Sequence, residues 1–578
     1  MGADADRGRT RVRIVARTSY RGRWLVALGA VSAMLLAFPV TAPARVSVDQ
    51  TMHAAGAIRS SLTAISRSGH LTAGEKYTYR RSLRQAMRVL RALDVPSKAR
   101  RRDELGSQIV TLATIAARGK LTPGRMQPLF RQLDANRIWF ARSGPPRPVA
   151  QVTVAGDPLV YAYYPGHGLQ LQPLFNWTKV NGYWFAKDYD GMQKLIDRLA
   201  PLAVRQPGGW VSWEYAFDYP GSRAPWLSGM AQGVAIQALA RAWQVTQNPE
   251  DLALAQQALP GLGRTLAAGG LLKHSASGRW WPLYAEHPSL RVLNGDLQTV
   301  ISLYDYAAIT GDTKALAWAQ DGARAAAALL PRYDTGAWSL YQGSREAPLG
   351  YHDLMTLQLR QLALKSGDPV FRTYADRFAL YRVTPPVIAV RARPPVRVYP
   401  TLADSPHADF HVPARISKAS SVALVVTDAE GSVVTATRLG KTDRGWLTAR
   451  WNGFDGLRPV APGAYQVWLR ATDVVGNLSP RTLVGDVQVE RDTEAPEVRV
   501  LRLIRAGGDV RLRWRVSDNA AGHLTIAIST PGHTLVLHDM PLNGRRALSL
   551  PSAPPGLTAA ITITDESGNH AWETRRAL

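Results

Sequence analysis

Cysteine is absent from all 578 residues. Disulfides, thiolate metal sites and cysteine nucleophiles are thereby excluded, so any catalysis rests on oxygen, nitrogen or carboxylate groups. Nucleotide-binding glycine patterns are missing too: no P-loop occurs, and no G-x-G-x-x-G opens a helical stretch. No cofactor is expected, and no metal ligand set stands among the candidate site residues. Long apolar runs are confined to one place. There "WLVALGAVSAMLLAF" (24–38) follows seven arginines between Arg7 and Arg23 and precedes "APA" at 42–44, the layout of a signal peptide. Its 15 residues fall short of the roughly 20 that cross a bilayer. Residues 1–44 therefore read as a cleaved signal, with a retained N-terminal membrane anchor as the other form. Either puts the remainder in an extracellular or cell-surface location.

Negative charge is in short supply, and the net charge is +26. Residues 45–148 hold 20 Lys or Arg against 6 Asp or Glu. Here "YTYRRSLRQAMRVLRAL" and "SKARRRDELGSQIVTLATIAARGK" read as amphipathic helices with basic faces. Such a face attracts an anionic polysaccharide, a cell-wall polymer or a membrane surface; the plain alternative is a solvated arginine-rich face. Nucleic acid is not an expected partner, since no recognition motif accompanies the charge.

Proline marks the boundaries. "SGPPRPVAQVTVAGDP" (143–158) closes the basic segment, and "VTPPVIAVRARPPVRVYP" (383–400) closes the next. Beyond Pro400 the chain alternates with period two, and "ATDVVGN" (471–477) recurs as "TITDESGN" (562–569), setting Asp473 and Asp565 at equivalent places. Two tandem immunoglobulin-like sandwiches, 391–490 and 491–578, account for that period. The first contains "ARWNGFDGLRPVAPGAYQVWLRATD", which resembles the Ig-like module of flagellar hook-capping proteins. The two aspartates suit Asx-type capping of the turns they open, with calcium ligation as the other use of that geometry.

Residues 149–390 carry the chemistry. Helix-length periodic stretches pair as 228–246 with 249–268, 293–310 with 313–331, and 352–365 with 368–381, joined by short G-D or N-P turns. Hairpins recurring at this spacing imply an (α/α) toroid with its connecting loops at one end. The expected whole is a multidomain α + β chain: a basic helical segment, a toroid and two β-sandwiches. Aromatic loops such as "PGGWVSWEYAFDYPGSRAPWLSG" and "SGRWWPLYAEHPSLRVLNG" suit sugar rings, and neighbouring arginines suit their carboxylates. The plain reading of those tryptophans is loop packing.

Four ordered blocks then carry a resemblance: "PWLSGMAQGVAIQALARAW", "VLNGDLQTVISLYDYAAITGD", "LLPRYDTGAWSLY" and "GYHDLMTLQLRQLALKSGDPVFRTYADRF". In order and spacing they are similar to the C-terminal catalytic domain of the D-glucuronyl C5-epimerases. That resemblance implies an (α/α) toroid, a uronic-acid-containing polysaccharide substrate, and three active-site tyrosines carried over as Tyr284, Tyr341 and Tyr351. The residue before the first is Leu283, where the animal enzymes carry glutamate. The nearest carboxylate is Glu286, on its other side.

Removing H5 of a uronosyl residue leaves charge that spreads into the adjacent carboxylate. The site then needs a base, an acid on the other ring face, and groups that hold the carboxylate. Phenols lowered from their usual pKa of about 10 by nearby cations would serve as base and acid. Arg223 and Arg345 are candidate carboxylate partners, Trp226 a stacking platform, and Glu286, Asn294 and His352 further substrate-binding candidates, with His352 tuning Tyr351. The same H5 abstraction begins a polysaccharide lyase reaction. A glycoside hydrolase would instead draw a carboxylate pair from Glu214, Asp218, Glu286, Asp334 and Glu346, and a non-catalytic wall-binding protein needs neither.

Overall fold

The computed structural model describes residues 46–576 apart from 155, 220, 392–395, 401–409, 507–508, 519–521, 531, 550–555 and 566. The expected signal or anchor at 1–44 lies outside the described residues. Among those described, no helix is long and apolar enough to cross a membrane. The chain divides into a helical unit ending at Leu380 and a β unit beginning at Tyr381.

The helical unit is a series of hairpins. α1 (Val48–Arg67) turns into α2 (Ala73–Ala92), α3 (Ala99–Ala117) into α4 (Pro123–Arg142), and α5 (Pro173–Ala186) into α6 (Tyr189–Leu199). α7 (Gly229–Thr246) turns into α8 (Pro249–Ala258), α9 (Leu293–Thr310) into α10 (Thr313–Ala327), and α11 (Leu349–Ser366) into α12 (Pro369–Tyr381). The last four hairpins share one device. A residue in the left-handed region (Lys187, Gln247, Gly311 or Gly367) ends the first helix, and the next residue (Asp188, Asn248, Asp312 or Asp368) caps the second. The first two hairpins use a different, repeated turn, Gly69-His70-Leu71-Thr72 and Gly119-Lys120-Leu121-Thr122. There the glycine takes positive φ, and the following N–H reaches back five residues, His70 to Ile65 and Lys120 to Ile115. Helix 249–268 of the sequence reading stops at Ala258, ahead of Pro260, which cannot continue the hydrogen-bond ladder.

First helices of successive hairpins pack side by side: α1 on α3, then α5 on α7, α7 on α9 and α9 on α11. α7 and α9 are buried on most sides, as helices without a polar face must be. Gly233 permits their approach, since a Cβ there would come within 3.3 Å of the Thr299 Cα.

The basic helices do not stand apart at 148. α3 supplies Glu104, 4% exposed, whose carboxylate accepts from the Tyr163 hydroxyl (2.6 Å) and from the Gly166 and Gly168 amides (3.0 and 2.9 Å). Those donors belong to the β2–β3 hairpin of a small sheet, β1 (Gln151–Val152), β2 (Tyr161–Tyr164) and β3 (Gly168–Leu171). Gln132 of α4 donates to Gln170 (2.8 Å), and Arg125 forks onto Glu214 (2.7 and 2.8 Å). Their apolar stripes are buried against the rest of the unit; their arginines point outward or into such pairs. Strand pairs β4 (Val204–Arg205) with β5 (Val211–Ser212), β6 (Lys273–Ser275) with β7 (Gly278–Trp280), and β8 (Leu340–Gln342) with β9 (Arg345–Glu346) fill later connections.

One buried acid gives a stability prediction. Asp251, in the first turn of α8, is 2% exposed, and burial pushes its carboxyl up to about 6, with Asp197 and Glu250 adding to the effect. A carboxyl raised on folding stabilises below its unfolded pKa, and that contribution is lost as pH rises through about 6. Asp251→Asn should therefore gain on the order of 1–2 kcal/mol at pH 7 and almost nothing at pH 4. Thermal melts at the two pH values check this; equal shifts would refute it.

The β unit holds two modules, each with its own core. In the first, β10 (Ile388–Val390), β12 (Phe410–Ile416) and β15 (Gly445–Trp451) form one sheet. β11 (Val396–Val398), β17 (Thr482–Val489), β16 (Gly463–Asp473), β13 (Ser420–Thr427) and β14 (Val433–Thr442) form the other, in that order. In the second module, β18 (Glu497–Ala506), β19 (Asp509–Ser517) and β22 (Asn543–Ser549) form one sheet. β21 (His533–Met540), β20 (Gly522–Thr530), β23 (Thr558–Asp565) and β24 (His570–Arg576) form the second. Asp473 and Asp565 do cap their turns: Asp473 accepts from the amides of Val475, Gly476 and Asn477, and Asp565 from those of Ser567 and Asn569. Asp473 also meets the buried Lys418 ammonium at 2.7 Å.

Candidate active site

Four connections deliver tyrosines to one place. Tyr284 lies between β7 and α9, Tyr341 on β8, Tyr351 in the first turn of α11, and Tyr219 in the loop leading to α7. Their rings touch in sequence: Tyr341 to Tyr351 at 4.8 Å, and Tyr219 stacked on Tyr284 at 5.6 Å. Trp226 backs Tyr284 at 5.4 Å and is itself stacked flat on Tyr215 at 4.0 Å, its indole N–H donating to the Phe217 carbonyl. The phenols are not exposed to solvent. Tyr284, Tyr341 and Tyr351 are 2%, 2% and 3% exposed.

Burial sets their charge state. It pushes all four phenols well above the usual tyrosine range. The sequence-based expectation of phenols lowered by cations is thus corrected, because removing a phenolate from water outweighs the cations within reach. Arg345 does pull Tyr341 downward, against the larger effect of burial. Nearby phenols raise one another further, Tyr341 and Tyr219 acting on Tyr351, and Tyr219 and Tyr341 on Tyr284. The hydroxyls of Tyr284 and Tyr351 are buried with no hydrogen-bond partner. That of Tyr284 lies near enough to Tyr219 to offset part of the latter's rise, without the geometry of a hydrogen bond. A buried unsatisfied hydroxyl costs about 1–3 kcal/mol, so these two positions hold free energy that a polar ligand would release.

Other expected residues divide by environment. Asn294, fully buried at the start of α9, has both side-chain polar atoms unpartnered, while its carbonyl accepts from Gln358 (3.0 Å). Arg345 is exposed at the rim beside Tyr341. Arg223 and Glu286 are both exposed, and the Arg223 amide donates to the Glu286 carboxylate at 2.7 Å, pinning two loops together. His352 is spent elsewhere: it is fully buried and stacked on Trp338 at 3.8 Å. Its Nε2 faces the Phe378 carbonyl (2.8 Å) and must carry the proton, leaving Nδ1 to accept from the Ser339 hydroxyl (2.7 Å). That core role replaces the expected contact with substrate.

Sequence reasoning passed over Tyr219. Its signal was present in the aromatic run "WEYAFDYP", but only folding shows which of its rings turns toward Tyr284. Tyr333, in the "LLPRYDTGAWSLY" block, is structural: burial pushes it up to about 12, and its hydroxyl donates to the Arg291 carbonyl. The loop acids are engaged too, Glu214 with Arg125, Asp218 with Arg118 and Asp334 with Arg377.

Residues 208–380, which hold all four tyrosines, match the family model described as D-glucuronyl C5-epimerase C-terminus. This segment is similar to that family's C-terminal region. Within it, the chain is 30% identical over 177 residues to a D-glucuronyl C5-epimerase of Caenorhabditis elegans, covering 27% of this chain and 29% of that one. It is also 28% identical over 176 residues to the uncharacterized protein MJ1128 of Methanocaldococcus jannaschii, covering 29% and 57%. The chain thus spans less than two thirds of each of these curated relatives, 57% of one and 29% of the other. Among solved structures, a glycoside hydrolase family 76 mannosidase from Bacteroides thetaiotaomicron aligns at 12% identity over 39% of this chain and 63% of that one, with a TM-score of 0.29, too low to bear on the site. The matched segment ends where the helical unit ends, at residue 380.

Proposed function

We propose that this chain is an exported polysaccharide-modifying enzyme that inverts C5 of uronosyl residues, D-glucuronosyl to L-iduronosyl in type. On this reading the six hairpins form an (α/α) toroid, and the β modules are Ig-like accessories. The observation that carries it is the pair of buried, unpartnered hydroxyls of Tyr284 and Tyr351 within a four-tyrosine cluster. Phenols held neutral at pH 7 are fit to donate, and C5 chemistry needs donors on the carboxylate and on one ring face. The cluster has two halves, Tyr341 with Tyr351 and Tyr284 with Tyr219, backed by Trp226. A sugar between them presents one face to each.

The base is Tyr341, the phenol that a guanidinium draws down. A uronate carboxylate arriving beside Arg345 and Asn294 would order that cation over the site. Tyr341 phenolate takes H5 as a proton, and the C5–H electron pair moves into the carboxylate as an enediolate. Tyr284 then returns a proton to C5 from the other face, and the two phenols exchange their proton to reset. Tyr219 and Tyr351 hold the carboxylate oxygens during the step. Because Tyr341 must ionise from a raised pKa, turnover should climb with pH through the alkaline range. Arg345→Gln should move that limb to still higher pH; an unmoved limb would remove Tyr341 as base.

The test of the function is isotope exchange. In heavy water, the full chain should place deuterium at C5 of glucuronate-containing polymers without shortening them. Unsaturated uronate with shorter chains would make it a lyase, and shorter chains without unsaturation a hydrolase. Absence of exchange across a panel of uronic-acid polymers would reject the proposal.

A further inference from the structure

The outward face of the β18–β19–β22 sheet is built of arginine. β19 alternates strictly: Val510, Leu512, Trp514 and Val516 are buried, and Arg511, Arg513 and Arg515 are exposed between them. Register adds a second dimension. Arg513 stands directly opposite Arg502 of β18 and Arg545 of β22, both exposed. A row of three guanidiniums across the sheet therefore crosses a column of three along its middle strand. With strands about 4.8 Å apart and alternate residues about 6.8 Å apart, the cross covers about 10 by 14 Å.

Like charges directly opposite one another destabilise a sheet. Among the described residues none of these five arginines pairs with a carboxylate, although Asp509 stands exposed at the head of the same column. Glu497 at one border is taken by Arg499 at 2.6 Å. Edge protection, the usual reason for basic residues on strands, does not apply to Arg511, Arg513 and Arg515, because β19 is the central strand. Among lysine and arginine, residues 491–578 use arginine alone, whose planar guanidinium fork matches carboxylate and sulfate geometry.

We infer that this face is a docking surface for a linear, carboxylate-bearing polysaccharide, separate from the tyrosine cluster. A flat cross of five charges suits an extended polyanion laid over several strands; a small anion would need a pocket. No aromatic side chain is exposed on this face among the described residues, so the base stacking that accompanies single-stranded nucleic acid binding is missing. The anion-binding face stands on the arginine cross alone, and the choice of a uronate polymer rests on the proposed epimerase reading.

The full chain should be retained on immobilised hyaluronan, with affinity falling steeply between about 50 and 200 mM salt. Arg502→Gln/Arg513→Gln/Arg545→Gln should weaken retention at least about tenfold and should melt no lower than the parent, because repulsion is removed. Arg513→Glu alone, which sets an acid between two arginines, should also weaken binding while raising the melting temperature. Parental binding by both variants would overturn the proposal, as would tighter binding of duplex DNA than of hyaluronan by the parent. Hyaluronan retention together with a failed C5 exchange would reject the epimerase reading and leave the docking face standing.

Discussion

Phenylalanine at position 284 or 341 is expected to lower C5 proton exchange by about 10²-fold to 10⁴-fold, the range for loss of a positioned acid or base, and phenylalanine at 351 by about 10²-fold to 10³-fold, the range for loss of one donor to the developing charge, while the protein stays folded. The stability half of that result is unusual and diagnostic. The Tyr284 and Tyr351 hydroxyls are buried without partners, so removing either relieves an unsatisfied polar group. Tyr284→Phe and Tyr351→Phe should melt at or above the parent by up to about 1–3 kcal/mol. Activity collapsing as stability rises is the signature of groups held for a ligand and not for the fold. A packing role predicts the reverse, with near-normal exchange and unchanged or lower stability. Trp226, by contrast, packs flat on Tyr215 and donates to a carbonyl, so Trp226→Ala should lower stability and activity together. Steady-state exchange and calorimetric melts on the same preparations separate these cases.

Removing residues 46–148 should abolish folding of the helical unit, with loss of the helical circular dichroism signal and of all turnover, short oligosaccharides included. The sequence-based view of these residues as a basic arm predicts a loss of polymer binding only. The difference lies in Glu104. Its carboxylate satisfies a hydroxyl and two amides of the β2–β3 hairpin, and Glu104→Ala leaves those donors buried. The cost should be on the order of 3–5 kcal/mol, a large part of the 5–15 kcal/mol typical of a domain. Glu104→Gln keeps one acceptor and should cost less; burial already raises this carboxyl, so the neutral amide fits the site's preference. A chain starting at 149 that melts cooperatively and turns over short oligosaccharides would refute this account.

Hairpins at 229–258, 293–327 and 349–381 were legible because each second helix opens on Asn or Asp after a left-handed residue, and Gly311 and Gly367 announce that turn openly. The hairpin at 173–199 uses Lys187 for the same conformation. Neither a Gly-Asp nor an Asn-Pro pair stands at this turn, so the device is not visible in the chain. The repeated Gly-x-Leu-Thr turns at 69–72 and 119–122 lie between arginine-rich helices whose charge dominates the local pattern, and only the burial of Leu71 and Leu121 marks them as part of the fold. His352 was misjudged because its place after Tyr351 is visible in the chain, whereas its clasp between Ser339 and the Phe378 carbonyl is not.

By itself the sequence determined the chemistry available, with cysteine excluded and phenols, guanidiniums and carboxylates supplied. It also determined the helical and alternating segments, since periodicity and turn residues are local properties of the chain. The tertiary structure alone decided which phenols meet, since four segments separated by as many as 132 positions, Tyr219 to Tyr351, must converge to form the cluster. It also decided their charge state. A phenol's pKa depends on how much water folding removes, and here burial outweighs the one arginine that the sequence had placed beside Tyr341.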